Sequence, residues 1–215
     1  MTYSFPLLAV DLKGLFILPG KSASICFTPH EPDADRGAWS FAAGVAFITS
    51  NNINEIIGGD INVDNGPAGG EIYSLTATRR LGQFNLELWG HTFQPQLELP
   101  LTLEIIDENS RSPFFGLNAS LVVRWEEFPW SHLVHTTFAT GVGLSYDDQV
   151  YLMDISRHPG SDRSHLKFNW PLQLTFAHPE HPDHQLMLFI AHQSGGRIFD
   201  DGGVNSLGIG YRFSY

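Results

Sequence analysis

Only one cysteine, Cys26, occurs in 215 residues. No internal disulfide can form, and the redox compartment stays open. Cys26 falls outside every strand candidate and receives no role. No apolar run reaches the roughly 20 residues that a membrane-spanning helix needs. Charged residues are scarce, at 16%, and basic ones scarcer: 12 Lys and Arg against 23 Asp and Glu, a formal net charge of -11. A nucleic-acid backbone calls for a basic stripe, so that class of partner is excluded. Glycine is abundant, at 21 residues, and aromatics make up 13%. Few charges and many turn-forming residues suit an all-β chain. A mean hydropathy of -0.09 does not exclude the membrane, because barrel strands hide their hydrophobicity by alternating.

That alternation is clearest at the end of the chain. In 204–215, Leu207, Ile209, Tyr211, Phe213 and Tyr215 point one way, and Ser206, Gly208, Gly210, Arg212 and Ser214 the other. A period of two marks a strand with one apolar face. The same pattern predicts strands at 39–49, 71–80, 84–89, 114–125, 133–146, 166–176 and 185–194. The tight segment 80–83 then joins the second strand to the third, and 94–112 is a longer segment with its own apolar patch. The connections alternate long and short up to the last, moderate one. Even strand number, short periplasmic turns and longer extracellular loops characterise outer-membrane barrels. The expectation is an all-β fold: an eight-stranded antiparallel up-and-down transmembrane β-barrel over 37–215 in the bacterial outer membrane, with both termini periplasmic. Residues 1–36 are expected to form a leader or periplasmic extension, with Ser22-Ala23-Ser24 as a cleavage site. The alternative is an ordered plug or cap.

A soluble, lipid-binding barrel would turn its large side chains inward and its charges outward. Here the face opposite the large residues is mostly Gly, Ser, Thr and Ala, and a water-facing surface normally carries more charge. The membrane reading is therefore preferred.

His192 and Ser194 stand two apart on one strand and share its outward face with Leu186, Leu188 and Ile190. A Ser hydroxyl needs a base to become a nucleophile, and the base needs an orienting group. Placed at the outer rim, such a pair reaches an ester of a membrane lipid without extracting it. Two polar residues where a strand leaves the bilayer satisfy the spacing equally well.

His192-Gln193-Ser194-Gly195-Gly196 and Asn205-Ser206-Leu207-Gly208-Ile209-Gly210-Tyr211-Arg212-Phe213 resemble the end of the lipid A 3-O-deacylase (acyloxyacyl hydrolase-like) family. The stretches 69–75 and 125–130 also resemble related outer-membrane proteins. The resemblance implies an eight-stranded outer-membrane barrel that hydrolyses an acyl ester of lipopolysaccharide, with Ser194 as nucleophile and His192 as base. It implies lipid A and outer-membrane lipid as partners and no cofactor. The family's Glu would fall at or beside Asn205, with Ser206 the other candidate, and its oxyanion Asn falls at Gly195. Asn205 has the outward parity of Leu207, so it can orient His192 through a neutral hydrogen bond. Asp200 or Asp201 is the other source of a carboxylate. Both departures also fit a non-catalytic barrel with a structural or partner-binding role. A homodimer or a membrane-protein partner is left open.

His178, His181 and His184 have ligand chemistry, but Pro179 and Pro182 interleave them in a turn. A solvated turn is expected there. Asp147, Asp148, Asp200 and Asp201 offer oxygen ligands of the kind Ca²⁺ takes, with loop solubility the favoured reading.

Overall fold

The computed structural model describes residues 9–11, 23–30, 38–88, 91–157 and 159–215. Its strands are β1 (Ala9–Asp11), β2 (Ala23–Pro29), β3 (Trp39–Thr49), β4 (Gly70–Leu88), β5 (His91–Phe93), β6 (Gln96–Glu108), β7 (Phe114–Trp125), β8 (His135–Asp147), β9 (Leu166–Ala177), β10 (His184–Ser194) and β11 (Gly203–Ser214). Short helices α1 (Ile53–Ile57) and α2 (Leu152–Arg157) lie in the connections before β4 and β9. Eight strands close a ring in the order β3-β4-β6-β7-β8-β9-β10-β11, every neighbour antiparallel, with β11 returning to β3.

Three expectations are corrected. Residues 84–89 do not begin a new barrel strand. Instead β4 runs straight on through an irregularity between Arg80 and Gly82, and its far end pairs with β2 and β5. The third strand of the ring is β6, inside the segment read as a long connection. Pro100 has no N–H to donate. The ladder from β6 to β7 is interrupted at Leu99 and Pro100, while the ladder to β4 continues through both. The third connection is therefore the short turn 109–113. Cys26, expected outside every strand, lies within β2. The proposed cleavage site sits partly outside the described residues, and Ala23 and Ser24 belong to β2.

The orientation of the side chains decides what solvent the wall was made for. Leu75, Leu101, Leu103, Leu117, Leu121, Val142, Leu144, Leu188 and Ile209 are exposed around the middle of the cylinder. Tyr73, Phe115 and Tyr146 stand near one end, and Trp39, Phe41, Tyr211 and Tyr215 near the other. An apolar band between two aromatic girdles is the surface of a protein in a bilayer. Gly208 and Arg212 are buried, as are Ser40, Asn118, Ser120 and Thr175. The soluble barrel, with large residues inward, is thereby excluded.

Within the wall the lumen is filled. Glu98, 2% exposed, accepts hydrogen bonds from Arg124 Nε at 3.0 Å and from an Arg212 terminal nitrogen at 2.7 Å. Nearer the end of the long connections, Ile48, Ile72, Ile106, Phe114 and Val204 form an apolar core with Tyr151 and Met153. Tyr151 meets Phe114 edge-on, with centroids 5.4 Å apart. The segment carrying α2 thus plugs the barrel at the end with the long connections, which by the loop-length rule is the extracellular one.

Between these layers the Phe189 ring lies against Gly44 and Gly208. A Cβ on Gly208 would sit 2.4 Å from Phe189 Cζ and 2.6 Å from the Val45 carbonyl oxygen, a strand atom that cannot yield. Gly208→Ala is expected to cost about 1–3 kcal/mol by overpacking. Guanidinium unfolding in lipid vesicles reads this as a lowered midpoint.

Candidate functional site at the extracellular rim

The pairing of β10 with β11 sets His192 opposite Asn205, and Ser194 opposite Gly203. On the other side His192 faces Trp170 of β9, and Ser194 faces Phe168. Directly opposed residues share one face with Cβ atoms about 5 Å apart. A short side-chain contact between His192 and Asn205 follows from register alone, and their Nδ1 and Oδ1 atoms are 2.6 Å apart.

Asn205 lies on the outward face, yet it is only 4% exposed. The connection 50–69 folds over it. Asn205 Nδ2 donates to the Asn51 carbonyl at 2.8 Å, and Thr49 Oγ1 donates to the Asn205 carbonyl at 3.2 Å. Asn51 is fixed in turn. Its Oδ1 accepts from the Asn62 backbone, and Asp64 N donates to Ile48 O.

This arrangement selects a tautomer of the neutral ring. A carbonyl oxygen only accepts, so the Asn205 nitrogen must face Asn51 and its Oδ1 must face the imidazole. Oδ1 also only accepts, so His192 carries its proton on Nδ1. The Nε2 lone pair is then available as a base. A triad carboxylate selects the same tautomer, here without its negative charge. Trp170 meets the His192 ring edge-on at 6.1 Å, and its own Nε1 donates to Thr140 Oγ1 at 2.9 Å.

His192, Ser194 and Asn205 line one open cavity of about 490 Å³ with Ser50, Asn52, Ile53, Arg157, Asp201, Gly202 and Gly203. Beside it Phe168 packs on Phe199 with centroids 4.9 Å apart, giving the polar group an aromatic flank. No hydrogen bond joins Ser194 to His192 among the described residues. Residues two apart along a strand are about 6.6 Å apart at Cα, and catalytic hydrogen bonds often close only around bound substrate.

Position 195 departs from the resemblance for a steric reason. A Cβ on Gly195 would sit 2.3 Å from the Asp200 carbonyl oxygen and 2.5 Å from its nitrogen. No Asn fits there. The Gly195 N–H is itself bonded to Gly202 O at 2.9 Å. Nor is Asp200 the orienter of His192. It accepts from Lys167 Nζ at 2.7 Å and from the Ser164 and Gly202 amides at 2.8 Å. Burial works against the charge of Asp200, but Lys167 and the two amides outweigh it and hold the carboxyl below its ordinary range. Asp201 reaches the cavity wall.

The other sequence constellations separate. His184 Nδ1 meets the Tyr211 hydroxyl, and His178 lies 3.9 Å from Glu180. Asp147 is buried in the barrel, while Asp148 accepts from Phe115 N at 3.1 Å. Among the described residues no three His, Cys, Asp or Glu side chains are grouped to hold a metal ion. Sequence reading overlooked Asn51, Thr49 and Arg157. Thr49 closes β3, and the other two come from connections whose composition announces only coil.

No family model matches the chain, and no curated protein matches it significantly. Solved structures do. The outer membrane enzyme PagL aligns with a TM-score of 0.56 at 12% identity, over 83% of this chain and 100% of that one. This barrel has an outer-membrane fold. Neisserial surface protein A aligns at 0.43 and 11% identity, over 83% and 97% of the two chains. The outer membrane protein OprG from Pseudomonas aeruginosa aligns at 0.36 and 12%, over 84% and 97%. With the apolar band and the two aromatic girdles, the PagL-like fold locates the protein in the bacterial outer membrane.

Proposed function

We propose that the protein is an outer-membrane esterase of the lipid A deacylase kind, which removes an acyl chain from lipopolysaccharide. Ser194 is the nucleophile, His192 the base and Asn205 the orienter. One observation carries this reading: the His192–Asn205 hydrogen bond, with its amide fixed by the Asn51 carbonyl. It is supported by the position of the group on the lipid-facing wall at the extracellular end, and by the resemblance of 192–196 and 205–213.

The chemistry follows from the tautomer. His192 Nε2 takes the Ser194 proton as Oγ attacks the ester carbonyl, and returns it to the departing sugar alkoxide. The acyl group is left on Ser194. Water, deprotonated by the same Nε2, then releases it as a free fatty acid and restores the hydroxyl. Phe168, Phe199 and Trp170 offer apolar surface to the chain being transferred.

Mass spectra of lipopolysaccharide from a host lacking the protein, with and without its expression, test the proposal. The expected result is loss of one acyl chain with the wild type and none with Ser194→Ala. A second reading, a non-catalytic barrel with a structural or partner-binding role, is favoured by the missing carboxylate and by the closed position at Gly195. An unchanged spectrum with the wild type decides for it.

A further inference from the structure

The cavity that holds His192 and Ser194 has one cation among its described lining residues, Arg157 at the end of α2. The chain as a whole is strongly acidic, at -11, so a guanidinium at this point runs against the average field. Two features keep it there. An Arg157 terminal nitrogen donates to the Ser50 carbonyl across the cavity mouth, tying α2 to the connection that covers Asn205. The helix itself is anchored by the plug, in which Met153 and Asp154 are buried.

Among the described residues Arg157 makes no ion pair. Glu55 lies within its electrostatic reach, but the Glu55 carboxylate is spent elsewhere. It accepts from the Asn52 backbone at 2.8 Å and from Asn51 Nδ2 at 3.4 Å. The Asn52 amide above all, with Asn51 and the charge of Arg157 in support, holds that carboxyl below its ordinary range. An arginine has five N–H donors in a planar fork, and the Ser50 carbonyl engages one nitrogen. The residue itself lines the cavity. A guanidinium matches a phosphate in two-point geometry, which is why this side chain recurs where phosphates are recognised.

Resting on the esterase reading, we infer that Arg157 is a specificity-determining residue that binds a phosphate monoester of the lipid substrate, so that the acyl ester beside it is presented to Ser194. The ligand class is a phosphorylated glycolipid, and a neutral ester lipid is the poor substrate. Because the phosphate is bound equally before and during acyl transfer, loss of that contact acts on KM and leaves kcat alone.

The test uses the full chain in detergent micelles, with folding checked by the heat-dependent shift in gel mobility. Binding is measured on Ser194→Ala, so that no turnover intervenes, with lipid A carrying its phosphates and with the same lipid after phosphatase treatment. Arg157→Gln is expected to weaken binding of the phosphorylated lipid about tenfold, the scale of a charge-assisted hydrogen bond, and to leave the dephosphorylated lipid unchanged. In the active protein KM for the phosphorylated lipid rises by the same factor. Equal loss on both lipids, no loss on either, or a fall in kcat in place of the rise in KM would overturn the assignment. Arg157-dependent binding with no turnover by the wild type leaves the phosphate site standing and removes the esterase. Turnover indifferent to Arg157→Gln does the reverse.

Discussion

His192→Ala is expected to reduce lipid A deacylation to the floor set by Ser194→Ala, with the double variant no slower than either. Nucleophile and base act as one unit, so removing the second member after the first costs nothing further. The size of the drop follows from the third member. In a Ser-His-Asp enzyme the loss approaches 10⁶-fold, and removing the acid alone costs about 10⁴. Asn205 secures the tautomer through Nδ1–H but brings no negative charge to the imidazolium, so the wild type starts from a lower rate. A fall on the order of 10³-fold is expected for either single variant. Asn205→Leu keeps the volume and deletes the hydrogen bond. It also leaves the Asn51 carbonyl without its donor, and it is expected to cost about 10²-fold in rate. Rates are read as fatty acid released per unit of folded protein in detergent. Independent, multiplying effects of Ser194→Ala and His192→Ala would show that the two do not act on one bond.

The parts of this architecture that were legible in the sequence are those written by alternation. The last strand declared itself, and its apolar side is the exposed one: Ile209 and Tyr211 lie outside, Gly208 and Arg212 within. Register then brought His192 across from Asn205 without any further signal. What failed was strand assignment between Arg80 and Ser112. Alternation there persists past the point where the bilayer ends, because β4 continues beyond the ring to pair with β2 and β5. In β6 the inward positions carry Glu98, Glu104 and Glu108, and Pro100 interrupts the run, so a wall strand reads like a loop. A buried carboxylate needs partners to be stable inside the wall. For Glu98 they are Arg124 and Arg212, distant in sequence, and for Glu108 they are Arg111 and the Leu152 amide. The site was half legible for the same reason. Spacing gives the residues on β10 and β11, but the lock on Asn205 comes from Asn51, 154 positions away, and no periodicity reports it.

Glu98→Leu is expected to be the most destabilising single substitution in the barrel wall. The carboxylate binds both Arg124 and Arg212, and all three side chains are within a few per cent of complete burial. Each guanidinium has secondary partners. Arg124 donates to Thr137 Oγ1 at 2.7 Å and to Gln173 Oε1 at 2.9 Å, and Arg212 to Ser40 Oγ at 3.1 Å and to Gln185 Oε1 at 3.3 Å. Those neutral acceptors satisfy hydrogen bonds but cancel no charge. Removing Glu98 leaves two like charges facing one another inside a cylinder wrapped in hydrocarbon. Breaking a buried ion pair from one side costs about 3–5 kcal/mol, a sizeable share of the stability of an ordinary domain. A desolvated network repays its own burial poorly, and apolar side chains of similar volume often replace one with no net loss. The triple variant Glu98→Leu, Arg124→Met, Arg212→Met is therefore expected to recover most of the stability that Glu98→Leu loses. Urea unfolding in lipid vesicles, followed by tryptophan fluorescence, compares the three proteins. If the triple variant is less stable than the single one, the interior is held by the hydrogen bonds to Thr137, Gln173, Ser40 and Gln185 and not by charge balance.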